Sequence, residues 1–69
     1  MSREELAEAC EMLADDHRTR ADRIRTRSNT IDDHLEPLRV AMQRRAAELE
    51  LAATALSEIA LGQRARPAA

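Results

Sequence analysis

The chain has 69 residues, 43% hydrophobic and 35% charged, with one Gly, two Pro, no aromatic residue and a formal net charge of −2. A chain this short buries about 60% of the surface its unfolded form exposes, so a lone core supplies only ~3–5 kcal/mol and is usually supplemented by disulfides, metals or partner chains. Without Trp, Tyr or Phe it has no base-stacking platform and no aromatic cage, and its 13 acidic against 11 basic residues exclude a global basic field drawing it to nucleic acid or anionic lipid.

Residues 1–8 carry no apolar core and are acidic, so neither a signal peptide nor a mitochondrial presequence is expected. The single cysteine, Cys10, cannot close an internal disulfide and fits a reducing, cytoplasmic compartment. The longest uncharged stretch, residues 51–57, falls far short of the ~20 apolar residues that a membrane span needs.

Alternating steps of three and four connect Ala7, Cys10, Ala14, His17, Ala21, Ile24, Ser28, Ile31, Leu35, Leu38, Met42, Arg45, Leu49, Ala52, Leu56 and Ile59. That spacing is a heptad frame, and the abundance of Ala, Leu, Arg and Glu agrees with helix throughout. The frame itself is unbroken, but a continuous helix is opposed by Ser28-Asn29-Thr30, three poor helix formers in succession, and by Pro37, which inside a helix costs ~3 kcal/mol. Asp33 and Glu36 have the spacing of a capping box that would place Pro37 in the opening turns of a second helix.

The pattern therefore predicts an all-α, two-helix antiparallel hairpin over residues 1–62, with helix one at about 3–28 and helix two at about 34–61. Gly62 is expected as a left-handed C-terminal cap and residues 63–69 as a flexible tail. The alternative is one long kinked helix in a parallel coiled coil. In either form the chain is expected to pack as an oligomeric helical bundle.

Helix one is lean, its large apolar residues being Leu6, Met12, Leu13 and Ile24, whereas residues 46–62 are apolar around most of the helix circumference. One partner helix covers one stripe, so the remainder calls for another chain. Two hairpins related by a two-fold axis provide the simplest cover. The expected core, within the hairpin and between chains, is Leu6, Cys10, Leu13, Ile24, Leu35, Leu38, Met42, Leu49, Ala52, Leu56 and Ile59. Leu51 and Leu61 supply a second contact surface, so partner binding is assigned to Leu35, Leu38, Met42, Leu49, Leu51, Ala52, Leu56, Ile59 and Leu61.

The run Arg18, Arg20, Arg23, Arg25, Arg27 precedes leucines and a methionine at seven-residue intervals, a coarse resemblance to a basic region followed by a zipper. Asp22 interrupts the run, and steps of two residues spread it around a helix, so acidic-partner contacts weigh more than nucleic-acid contacts. Cys10 and His17 lie too far apart on one helix to share a metal, and neither His17 nor His34 follows a Glu by three residues, so no metal or other cofactor is expected. Lacking a Gly-rich phosphate loop, Lys and Tyr, the chain reads as non-enzymatic. It is expected to act as a structural, adaptor or accessory subunit that binds protein, its own copies or a larger partner, without a membrane. The alternative is a DNA-binding regulator that uses the arginine run.

Overall fold

The computed structural model describes residues 1–65 and is an antiparallel two-helix hairpin. Helix α1 spans Arg3–Ser28, a short 3-10 turn spans Asp33–Leu35, and helix α2 spans Glu36–Ala65. At 1.5 Å per residue the two α-helices are about 39 and 45 Å long. The break at residues 29–32 rules out the continuous helix.

Local chemistry explains each boundary. Ser2 has extended backbone and its hydroxyl accepts the Glu5 N–H at 3.1 Å, satisfying one of the free donors at the start of α1. At the far end Ser28 turns its hydroxyl onto the Arg25 carbonyl at 2.8 Å, and Thr30 donates to the Arg27 carbonyl at 2.8 Å. Polar side chains thus consume the backbone acceptors that another turn of helix would use. Pro37 sits in the first turn of α2, where its missing N–H costs little.

The capping box forms differently from the expectation. Asp32, not Asp33, precedes the 3-10 turn, and it makes no side-chain cap. Asp33 and Glu36 instead converge on Arg39, whose Nη2 donates to Asp33 Oδ1 at 3.2 Å and Nη1 to Glu36 Oε2 at 2.7 Å. The same guanidinium donates to the Ile31 carbonyl and, at 3.4 Å, to that of Ser28. One charged donor group outcompetes a backbone N–H for both carboxylates, because hydrogen bonds between ionised partners are the stronger ones. Arg39 thereby closes the connection and places a cation at the α1 C-terminus, where the helix dipole favours it.

Helix α2 does not stop at Leu61. It continues through Gly62, which has no positive φ, to Ala65. Arg64, bound to Glu4 and Glu11 of α1, holds this last turn against the hairpin. The left-handed cap is therefore absent, and residues 63–65 of the expected tail are helical; the rest of that tail lies outside the described residues.

Between the helices lies a seam of small side chains. Ala7, Ala14, Ala21 and Ser28 recur every seventh residue on α1, with Ala46, Ala53 and Ala60 at the same interval on α2, and all are buried. Ala7, Cys10 and Ala60 form one cluster, packed by Leu56; Ala21, Ala46 and Leu49 form a second, packed by Ile24. Methyl groups on both sides let the axes approach the near end of the ~8–10 Å range.

On α1 the seam follows the expected frame. On α2 it pairs the Leu49 and Leu56 row with Ala46, Ala53 and Ala60, one residue beyond the expected Arg45, Ala52 and Ile59 row. Size explains the rotation: a seam lined by Ala on α1 accepts Ala opposite, whereas Arg45 or Ile59 would force the helices apart. His17 remains half-buried in the seam with Nδ1 unpartnered among the described residues.

Enlarging the seam should therefore open it. Ala53→Leu is expected to cost about 1–3 kcal/mol, lowering the thermal midpoint of the 222 nm circular dichroism signal by several degrees. Ala47→Leu, on the exposed outer face of α2, should leave that midpoint nearly unchanged. Arg39→Met, which leaves the Ile31 carbonyl without its charged donor, should cost about 1–3 kcal/mol in the same melt.

Candidate interaction face

The seam sets the register. Ala7 lies level with Ala60 and Ala21 with Ala46, because each pair shares one cluster. Residues bordering the seam then form two flanks that run the length of the hairpin.

One flank is polar and closed. Glu4, Glu11, Arg18 and Arg25 recur every seventh residue on α1, opposite Arg64, Ser57 and Glu50 of α2. Arg64 binds Glu4 through Nε at 3.2 Å and Nη2 at 3.0 Å, and also binds Glu11. Arg18 donates to Ser57 Oγ at 2.8 Å, and Arg25 pairs with Glu50. The Arg64 hydrogen bonds hold the Glu4 carboxyl below its ordinary 4.5, and those of Arg25 do the same for Glu50. Reciprocally, Glu50 raises Arg25, while Glu4 and Glu11 raise Arg64.

The other flank consists of the residues immediately before the seam alanines. It carries Leu6, Leu13, Arg20 and Arg27 on α1 and Leu38, Arg45, Ala52 and Ile59 on α2. No interhelical ion pair or side-chain hydrogen bond crosses it among the described residues. Leu6 is 36% exposed, Leu13 50%, Leu38 47% and Ile59 48%, although all belong to the expected core. The hairpin interior is too narrow for them, so they stand along its edge.

The arginine run is divided between these flanks. Arg18 and Arg25 turn toward α2 on the polar side. Arg20, Arg23 and Arg27, at spacings of three and four, surround Ile24 in a shallow depression on the other. Arg20 is paired with Asp16 at 3.3 Å, while Arg23 and Arg27 have no ion pair among the described residues. The five residues thus form no single patch, and only three of them share a ridge.

Of the expected partner-binding residues, Leu49 is buried in the seam and Met42, Ala52 and Leu56 are half-buried. Leu38 and Ile59 remain exposed along the open flank, and Leu35 is exposed in the 3-10 turn before α2. Leu51 and Leu61 are exposed at 72% and 66% on the outer side of α2. They are separated by ten residues, about 15 Å along the axis. The sequence reading missed Arg39, Arg64 and the polar flank. Its signal was present as charges at the heptad positions just beyond the seam, where ion pairs between neighbouring helices form.

No helix among the described residues is long and apolar enough to cross a membrane. No known protein family, curated protein or solved structure matches the chain.

The polar flank makes the hairpin acid-sensitive. Glu4 and Glu50 are depressed in the folded state, so their stabilisation is present above 4.5 and disappears as pH falls through their lower folded values. The thermal midpoint should hold near neutrality and drop below about pH 4.5. Glu4→Gln combined with Glu50→Gln should lower the neutral midpoint slightly and shrink the acid-induced drop, as a pH series of melts would register.

Proposed function

We propose that this chain is a non-enzymatic helical protein-interaction module, a structural, adaptor or accessory subunit that meets its protein partner through the open flank. One observation carries the reading. The hairpin fills its own interior with small side chains while Leu6, Leu13, Leu38 and Ile59, large enough to build a core, border the seam half in solvent. At about 25 cal/mol per Å² of apolar surface, covering such residues contributes several kcal/mol. That is comparable to the whole stability of a domain this small.

The hairpin's own core supports the same reading. Among the described residues, its eight buried apolar side chains are six Ala, Cys10 and Leu49. Little apolar area is removed from water within one chain, and a partner supplies what is missing. A nucleic-acid role for the arginine run is the weaker reading: Arg18 and Arg25 are engaged with α2, and α1 ends one residue after Arg27.

The test is native-extract fractionation of the tagged full-length chain from its own host, beside an Ile59→Asp/Leu13→Asp variant. Both positions are half-exposed, so helicity should survive while the flank is spoiled. The unaltered chain should elute in a protein complex larger than itself and the variant should leave it. If both elute alike as free chain, or if the complex dissolves on nuclease treatment, the proposal fails.

A further inference from the structure

Resting on that reading, we infer that the occupant of the open flank is a second copy of this chain, laid antiparallel so that each hairpin's connection lies beside the other's open end. Three features lead to this partner: the area of the flank, the distribution of charge along the hairpin as a whole and the order of the flank's residues.

Two helices of about 10 Å diameter lying side by side present a face roughly 20 Å wide. Along the ~39 Å of α1 that amounts to about 800 Å², close to what each partner of a standard interface contributes. Only full-length overlap reaches this area, because half the overlap leaves about 400 Å², in the range of incidental contacts. Two-fold symmetry allows full overlap in two ways, with the connections at the same end or at opposite ends.

Charge separates the two. With both helices cut at the same level, residues 17–50, the half nearer the connection, hold eight Arg against Asp22, Asp32, Asp33, Glu36, Glu48 and Glu50. The open half is acidic: residues 1–16 hold four Glu and two Asp against Arg3, and residues 51–65 hold Glu58 against Arg64. With connections at the same end, like half meets like half. With connections at opposite ends, the basic half of each copy meets the acidic half of the other.

Residue order along the flank leads to the same choice. Since Ala7 is level with Ala60 and Ala21 with Ala46, Leu6 lies within two residues, about 3 Å along the axis, of the level of Ile59, and Leu13 lies as near to Ala52, Arg20 to Arg45 and Arg27 to Leu38. Placing the connections together sets α1 of one copy over α2 of the other. Arg20 then falls within about 3 Å, along the axis, of Arg45 of the second copy, twice over by symmetry, which gathers four guanidinium groups. Placing them at opposite ends sets α1 over α1 and α2 over α2. Leu38 then comes within about 3 Å, along the axis, of Ile59 of the second copy and Arg45 of its Ala52, while Leu6 and Leu13 reach the aliphatic stems of Arg27 and Arg20 with the same stagger. No arginine opposes an arginine in that arrangement.

Sedimentation equilibrium and disulfide trapping on the purified full chain test the inference. The unaltered chain should sediment at twice its 7.7 kDa mass, and Ile59→Asp should sediment at that mass with its helicity retained. A variant combining Cys10→Ala, Leu38→Cys and Ile59→Cys should form a covalent dimer on oxidation. Its two new thiols are 21 residues apart on one helix, about 31 Å, too far to bridge within a chain. Each single-thiol variant should remain unlinked.

A helical monomer at hundred-micromolar concentration would overturn the second copy, as would a dimer whose paired variant fails to cross-link or whose single variants link to themselves. Should the chain be monomeric when pure yet remain in a larger complex in extract, the partner is a different protein and the proposed function survives. Free chain in both experiments removes both.

Discussion

Close approach of two helices through alanine governs this structure. With Ala7, Ala14 and Ala21 facing Ala46, Ala53 and Ala60, the helices leave little space between them for large side chains: among the described residues Leu49 is buried, while His17, Ile24, Met42 and Leu56 are only partly covered. The advantage is dense contact along two long helices. The consequence is that most Leu and Ile residues lie outside the core. A chain with 43% hydrophobic residues thereby exposes large apolar side chains from end to end.

The two flanks resolve this in opposite ways. One is closed by Arg18, Arg25 and Arg64 reaching across the seam, and those contacts also fix the axial register, since each joins residues of both helices. Exposed pairs of this kind contribute little stability individually, but they discriminate between registers by leaving charges unmatched when the helices slip. Among the described residues the other flank has no such crossing between its leucines, isoleucine and arginines, which face outward. A hairpin with one sealed and one open flank is built asymmetrically, and the open flank is where association has most apolar surface to remove from water.

The connection shows how few residues turn a heptad pattern into a hairpin. The heptad frame passes through Ser28, Ile31 and Leu35 without a fault and would suit one long helix. Ser28 and Thr30 spend their hydroxyls on the last carbonyls of α1, and Arg39 gathers Ile31, Asp33 and Glu36 around a single guanidinium. The reversal is thus made by local hydrogen bonding, with no left-handed residue anywhere in the described turn.

By itself the sequence determined that the chain is helical, where it breaks and which heptad row of α1 faces inward, though not that Leu6 and Leu13 stand outside it, because these depend on local propensity, on Pro37 and on a periodicity visible along the chain. Hydrophobicity alone pointed to Ile59, Leu38 and Ala52 as the inward row of α2. Only the tertiary structure decided that Ala46, Ala53 and Ala60 take that place, because which row turns inward depends on how much space the opposite helix leaves. It also decided that Arg18 and Arg25 face away from Arg20, Arg23 and Arg27, and that Arg39 and Arg64 tie distant residues together. Such arrangements arise when two helices meet, and no spacing within either one contains them.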